Sequence, residues 1–471
     1  MITIMKYRTG FAALALSLSL TGCGSLVETA YRTPAVTMPE KWQQGGADAT
    51  FALQGKWWQQ FDDAALDALV EQALASNNDL AASAIRIRRA QLNAGITAAG
   101  LWPTLSGGAS GMTTVPSSNG TAGLTSANGV ITSNNYSSDV SISYELDLWG
   151  KLSKQTDAAK FEAQATVQDK EATAMTLTGT VVNTYWKLGY LNQRIALADA
   201  SLAYAKKTLE ITETKHAAGA VSALDVATAQ QSIASQQAAR ASLIQQQVEA
   251  RNTLSVLFDG PPGKVFAEPR HLPTASLPAI PAGLPAEILS RRPDLRAAEL
   301  RLRGTLATAD ATRASYYPAL SLTGEVSGGG ANLLKLFNNP VSTITANLTL
   351  PFLDWNRSQL TIKVSQSQFD EAVVNFRQTL YAALSEVENA LSNRVQLAEE
   401  ARQQEINVAA ARKIESGNQV RYSAGKVALK IWLDAQESRR QAEISLADAR
   451  LSQLSNYVTL VKALGGEPVY P

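Results

Sequence analysis

Side chains able to do covalent or redox chemistry are scarce: the 471 residues include one cysteine and two histidines. Zinc-type centres gather three or four Cys, His or carboxylate ligands, so neither a metal site nor a cofactor is expected. His216 and His271 are far apart, neither sits in a recognisable triad, and G-x-S-x-G, H-E-x-x-H and G-x-G-x-x-G are all missing. The stretch "FDGPPGKVF" (258–266) has a superficial phosphate-loop shape. It lacks the first glycine, a preceding strand and a Ser or Thr after Lys264, so it reads as a linker. The chain is not expected to be an enzyme.

The single thiol, Cys23, follows a basic start (Lys6, Arg8) and an apolar run over 11–20. That run is too short for a spanning helix, which needs about 20 residues, and suits the h-region of a secretory signal. Leu20-Thr21-Gly22-Cys23 looks like a bacterial lipobox, in which cleavage precedes the cysteine and acyl chains are added to it. Gly24 rather than Asp after the cysteine implies, by the same likeness, sorting to the outer membrane. The 42 basic and 41 acidic residues nearly cancel, with no long run of either sign, so nucleic acid is excluded as a partner.

These groups are carried by a chain that repeats itself. Residues 77–107 align with 292–324, pairing Asp79 with Asp294 and Pro103 with Pro318, and "HAAGAVSALDVATAQ" aligns with "YSAGKVALKIWLDAQ", pairing Gly219 with Gly425. Each copy reads as helix, hairpin, long helix, short turn, helix. The first helices are expected to begin at Asn78-Asp79 and Pro293-Asp294. An unbroken helix from 151 to 216 would be roughly 100 Å long at about 1.5 Å per residue. Within it Val181, Leu188, Ile195, Leu202 and Leu209 recur every seventh position, with Leu191, Ala198 and Ala205 completing an a/d seam. The returning helix is expected to meet that seam with Ala227, Ala234, Ala241 and Val248. Gly219 and Gly425 suit the left-handed position that ends a helix.

The hairpins have a different period. In "SSDVSISYELDLWGK" (137–151), Val140, Ile142, Tyr144, Leu146 and Leu148 alternate with Ser141, Ser143, Glu145 and Asp147. The second copy repeats this with Ile344, Ala346, Leu348, Leu350 and Phe352, and 320–326 alternates as well; the strand after Pro103 is weaker, being mostly Gly and Ser. About 9 to 11 residues let a tilted strand cross a bilayer. A soluble sheet with one covered face would alternate in the same way. The lipobox and polar connections such as 117–129 favour the membrane. Four strands cannot close a barrel, and no open edge survives in lipid, so closure demands several chains, with polar positions lining a wet lumen.

The chain resembles the TolC-like outer-membrane efflux factors, in their acylated branch. The likeness rests on "YRTPAV", "WWQQFDDAALDALVEQAL", "LWPTLSG", "ELDLWGK", "LPAEILSRRPDLRAAE", "YYPALSLTG" and "RYSAGKVALKIWLDAQ". It implies a mainly α, mixed fold: a homotrimer whose transmembrane β-barrel, four strands per chain, is joined to a periplasmic α-barrel of coiled-coil hairpins. It also implies a periplasmic adaptor and an inner-membrane pump as partners, with outer-membrane lipid around the barrel. The role implied is the exit duct of a tripartite efflux system; the alternative is the exit duct of a type I polypeptide secretion system. A periplasmic scaffold without a pore would explain the helices but not the strands.

By the same resemblance, Tyr422 and Asp434 fall on positions that close the periplasmic end. A second acidic position of some members is Ile431 here, while the other copy has Asp225 at that place and Thr228 opposite Asp434. The tip turns at Gly219 and Gly425 would contact the adaptor. The expected organisation is signal 1–22, acylated segment 23–60, first repeat 61–258 with its hairpin at about 103–149, linker 259–284, second repeat 285–466 with its hairpin at about 318–353, and tail 467–471. Beyond the signal only Met38, Met112 and Met175 remain, too few for a thioether relay of soft metal ions.

Overall fold

The computed structural model describes residues 27–44, 56–115, 133–283, 285–333 and 336–466. Cys23, the signal stretch, the connection 117–129 and the tail 467–471 lie outside the described residues. The element order is α1 (Ala64–Ser76), α2 (Asn78–Ala99), β1 (Thr104–Thr114), β2 (Ser133–Leu146), α3 (Lys151–Ala217), α4 (Ala223–Leu257), α5 (Ile288–Arg291), α6 (Pro293–Ala314), β3 (Ala319–Gly330), β4 (Val341–Thr349), α7 (Trp355–Ser423) and α8 (Leu429–Ala463). The repeat is visible in the lengths. Helices α2 and α6 have 22 residues each, α3 and α7 have 67 and 69, and α4 and α8 have 35 each.

Local chemistry sets the ends. Asn77 Oδ1 accepts the amides of Asp79 and Leu80 at 2.9 and 3.2 Å to start α2, while Pro293 opens α6. Asp147 turns from the end of β2 to cap α3, its two oxygens accepting the amides of Leu152 and Ser153 at 2.9 and 2.8 Å. That cap ends the strand at Leu146, so Leu148 lies outside the alternation to which the sequence pattern assigned it; Leu350 and Phe352 likewise lie beyond β4.

The described residues fall into two compact units. One draws on the described residues within Met1–Pro34, Ile87–Ala165 and Glu299–Phe376. Its sheet is antiparallel in the order β1-β2-β3-β4, leaving β1 and β4 as edges. The register stacks side chains in rows across the strands. On one face the rows are Leu146, Leu320, Leu348; then Tyr144, Leu322, Ala346; then Leu105, Ile142, Gly324, Ile344; then Gly107, Val140, Val326, Ser342. The opposite face carries Thr104, Ser143, Thr323, Thr345 and Ser106, Ser141, Glu325, Thr343. Not one residue of the four strands is buried.

The N-terminal stretch is pinned to the same unit. The buried Asp310 of α6 accepts the Thr29 amide at 2.8 Å and the Thr29 hydroxyl at 2.7 Å. The Arg303 guanidinium lies 4.5 Å from the Tyr31 ring centroid, and Lys154 pairs with Glu28 at 2.6 Å.

The second unit comprises the described residues within Ala35–Arg86, Thr166–Ala298 and Arg377–Pro471. Its core joins Trp57, Trp58 and Leu66 to Val181, Leu188 and Leu191 of α3, Leu254 of α4, Leu380 and Leu391 of α7, and Leu460 of α8. The a/d seam of α3 is buried in its first half, where Val181, Leu188 and Leu191 have no exposed surface. Toward the turn, the buried positions become Ser201, Ala205, Thr208 and Thr212.

The face expected of α4 is wrong: Ala227, Ala234, Ala241 and Val248 are all exposed. Ala229, Gln236, Leu243 and Ala250, with Ile233, Arg240, Gln247 and Leu254, turn inward instead. Polar pairs select that face. Arg240 bonds Asp199, and Gln247 donates to Asn192 across the helix pair, interactions that the alanine stripe could not supply.

The segment "RRPD" holds the start of α6. Arg292, almost wholly buried, donates to Asp294 at 2.6 and 3.0 Å, to Glu386 of α7 at 2.7 Å and to the Ala463 carbonyl at 3.3 Å. Burial pushes the Asp294 carboxyl upward, but the Arg292 fork overrides it and the net direction is downward. A carboxylate depressed in the folded state stabilises above its unfolded pKa, and that stabilisation is lost as pH falls through the folded value. Asp294→Asn should therefore lower stability at neutral pH by about 1–2 kcal/mol. It should also flatten the loss of stability below about pH 4; thermal denaturation across pH, compared with the unsubstituted chain, checks both effects.

Candidate functional site

Two places could serve function: the polar face of the sheet and the tips of the two helical hairpins. On the sheet, hydroxyls pair across strands. Ser106 meets Ser141 and Ser110 meets Ser137, each at 2.8 Å. These rungs satisfy polar groups side by side while leaving them open to water. Three carboxylates share this face. Glu145 is neutralised by Lys151 at 2.7 Å, whereas Asp139 and Glu325 have no ion pair among the described residues. No Lys or Arg occurs in any of the four strands.

Both tips end their long helices in the same way. The Gly219 amide bonds the His216 carbonyl and the Ala220 amide that of Lys215; Gly425 and Lys426 repeat the pattern with Tyr422 and Arg421. This is the Schellman arrangement, and it needs the left-handed backbone shown by φ of +75° at Gly219 and +69° at Gly425. A Cβ would meet nothing within 4 Å at either glycine. Backbone conformation alone therefore demands glycine there.

Past the glycines the two tips diverge. In the first, Asp225 forms a capping box with Ser222, each side chain bonding the other residue's amide. Hydrogen bonds from the Ser222 hydroxyl and amide hold the Asp225 carboxyl below the usual carboxylate range. In the second tip the N-cap is Ala428, without a side-chain bond. Apolar packing replaces the cap: Tyr422, Leu429 and Trp432 form a buried cluster, with the Tyr422 and Trp432 rings stacked at 5.0 Å. Lys215, from the first copy, places its Nζ 3.8 Å from the Tyr422 ring centroid. Tyr204 donates to Glu415 at 3.0 Å, and burial, then that carboxylate, pushes its hydroxyl up to about 12.

Asp434 lies exposed on α8 and pairs with Lys430 one turn before it, at 3.0 and 3.1 Å. The tip thus unites Tyr422 with Lys215 and Trp432, while Asp225 and Asp434 bond local partners. Lys215, Trp432 and Lys430 were not singled out from the sequence. The i, i+4 spacing of Lys430 and Asp434 was the available signal; nothing local joins Lys215 to Tyr422. Among the described residues no group of three or more His, Cys, Asp or Glu is placed to hold a metal, and no helix is long and apolar enough to cross a membrane.

Comparison with known proteins meets this geometry. Residues 69–258 and 284–466 match the outer membrane efflux protein family, one segment for each copy of the repeat. The pyoverdine export outer membrane protein OpmQ of Pseudomonas putida is 32% identical over 456 residues, 96% of each chain. The toluene efflux pump outer membrane protein TtgC of Pseudomonas putida is 30% identical over 471 residues, covering 96% of this chain and 95% of its own. The fold superposes on the outer-membrane channel OprN with a TM-score of 0.83 at 26% identity, covering 94% of this chain and 99% of that one. With both repeats matched and such relatives spanning nearly its whole length, the chain belongs to the outer membrane efflux protein family.

Proposed function

We propose that the chain acts as a homotrimer in which three four-stranded sheets close one barrel and the helical hairpins line a periplasmic conduit. Family membership makes it an outer-membrane efflux duct. The observation that carries the trimer is the sheet, with no buried residue, one apolar and one polar face, and two unpaired edges. Joining β4 of one copy to β1 of the next satisfies the edges, turns the apolar rows to lipid and leaves Asp139 and Glu325 in the lumen. A periplasmic adaptor and an inner-membrane pump complete the route, with the turns at Gly219 and Gly425 presented to the adaptor. Relatives named for pyoverdine export and toluene efflux support small organic compounds as cargo. Cys23 is proposed as the acylated residue. Two anchoring signals hold a protein on a membrane more firmly than one.

The gate is proposed at the tips, with Tyr422, Asp434 and Asp225. Tyr422 latches the second hairpin to Lys215 of the first, a cation–π contact of about 0.5–2 kcal/mol according to its solvation. A latch of that size holds a tip closed yet yields to the differential contacts of a docking partner. Asp434, neutralised by Lys430, adds little net charge to the opening; Asp225 fixes the start of α4.

Arg at Ile142 should cost about 2–4 kcal/mol near the midplane, whereas Arg at Ser143, on the polar face, should be mild. Trimer yield from membranes measures this, and equal losses at the two positions would mean that no bilayer reads the alternation. In planar bilayers Tyr422→Ala and Lys215→Met should both raise single-channel conductance. Asp434→Ala, by freeing Lys430, should shift selectivity toward anions; unchanged currents in all three would place the constriction elsewhere. Intact mass of the membrane-extracted chain should show lipid on Cys23 as the first residue, and a mature chain starting elsewhere with a free thiol would refute it.

A further inference from the structure

The apolar face of the sheet stops short at one end. Its four apolar rows span seven residues of β2, from Leu146 to Val140, six steps or about 20 Å along the strand before tilt. An outer-membrane barrel presents an apolar band about 25 Å tall. Leu350 and Phe352 follow β4 at the end near the helices, each a little over a third exposed. At the other end the next row on this face is Ala109, Ser138 and Gly328, and the one beyond is Gly111, Tyr136 and Gly330. The row of Ala109 therefore offers one methyl group and one small hydroxyl side chain, and no larger apolar group.

The chain just past β3 covers that gap. A Cβ on Gly328 would point to the same face as Val326, and it would lie 2.2 Å from the Leu336 carbonyl oxygen. Only a residue without a side chain lets the backbone come so close. Leu336 is buried there, at 9% exposure. Phe337, beside it, is 76% exposed and lines a shallow cavity with Ala109, Ser138, Val140, Gly328 and Pro340. The composition agrees: the β1–β2 connection at 117–129 is made of Ser, Asn, Gly and Thr with few apolar residues, whereas the β3–β4 connection carries Leu333, Leu336 and Phe337. A connection ending in water has no use for an exposed phenylalanine, and continuity with the apolar rows names its surroundings.

We propose that the segment of Leu336 and Phe337 completes the lipid-facing band of the barrel, with Leu336 covered and the Phe337 ring exposed among the acyl chains of the outer leaflet. The inference rests on the reading that the apolar rows face lipid. Gly328 is the positioning residue, since any side chain on it would lift the segment from the sheet.

Nitroxide labels on Phe337→Cys, Ile344→Cys and Ser327→Cys, in protein reconstituted in bilayers and with the unsubstituted chain as labelling control, test this through collision with oxygen and a water-soluble nickel chelate. Positions 337 and 344 should both favour oxygen several-fold over nickel, and 327 the reverse. Adding Gly328→Val should move the label at 337 toward nickel and leave 344 unchanged. A nickel-accessible 337 beside an oxygen-favouring 344 would overturn the inference, as would protection of 337 from both reagents, which would place protein over it. No response to Gly328→Val would also overturn it. A nickel-accessible 344 would overturn the lipid reading of the whole sheet.

Discussion

Backbone hydrogen bonding governs this chain. Four strands form one antiparallel sheet whose inner pairings are complete and whose outer strands, β1 and β4, each present a row of unpaired amides and carbonyls. In hydrocarbon each such group costs several kcal/mol, roughly what one lost hydrogen bond is worth without water to replace it. In water, the exposed rows of Leu, Ile and Val would be an aggregation surface. Neither solvent tolerates the single sheet. The demand for closure therefore reaches through the rest of the molecule, from the register of the strands to the pairing of the copies.

Much of this was legible in sequence because two periods are written plainly. The alternation in β2 and β4 predicted the faces that the register then aligned, and the repeat predicted helices of matched length. Gly219 and Gly425 announced the left-handed turns. Strand β1 was harder to read, since "TLSGGASGMTT" hides its alternation behind glycine and serine. Its faces emerge only through partners such as Ile142 and Val140.

Other features were illegible because they depend on residues distant in sequence. The inward face of α4 is chosen by Arg240 with Asp199 and by Gln247 with Asn192, and a heptad of alanines gave the wrong stripe. Asp225 was placed by the resemblance among acids near the periplasmic end, yet three residues before it stands the serine that makes it a cap. The docking of Thr29 on Asp310 joins residues 281 apart, a link that no window along the chain can see. The two tips diverged in the same manner, one stabilised by a capping box and the other by aromatic packing. That asymmetry leaves the Tyr422 tip dependent on Lys215 of the other copy.

Amide hydrogen exchange on the protein in lipid nanodiscs tests the central claim most directly. If the edges close against neighbouring copies, amides of β1 and β4 that point away from their partners within the chain will be protected as strongly as those between β2 and β3. Rapid exchange along those two outer edges, with β2 and β3 still protected, would contradict the closed barrel and the duct built on it.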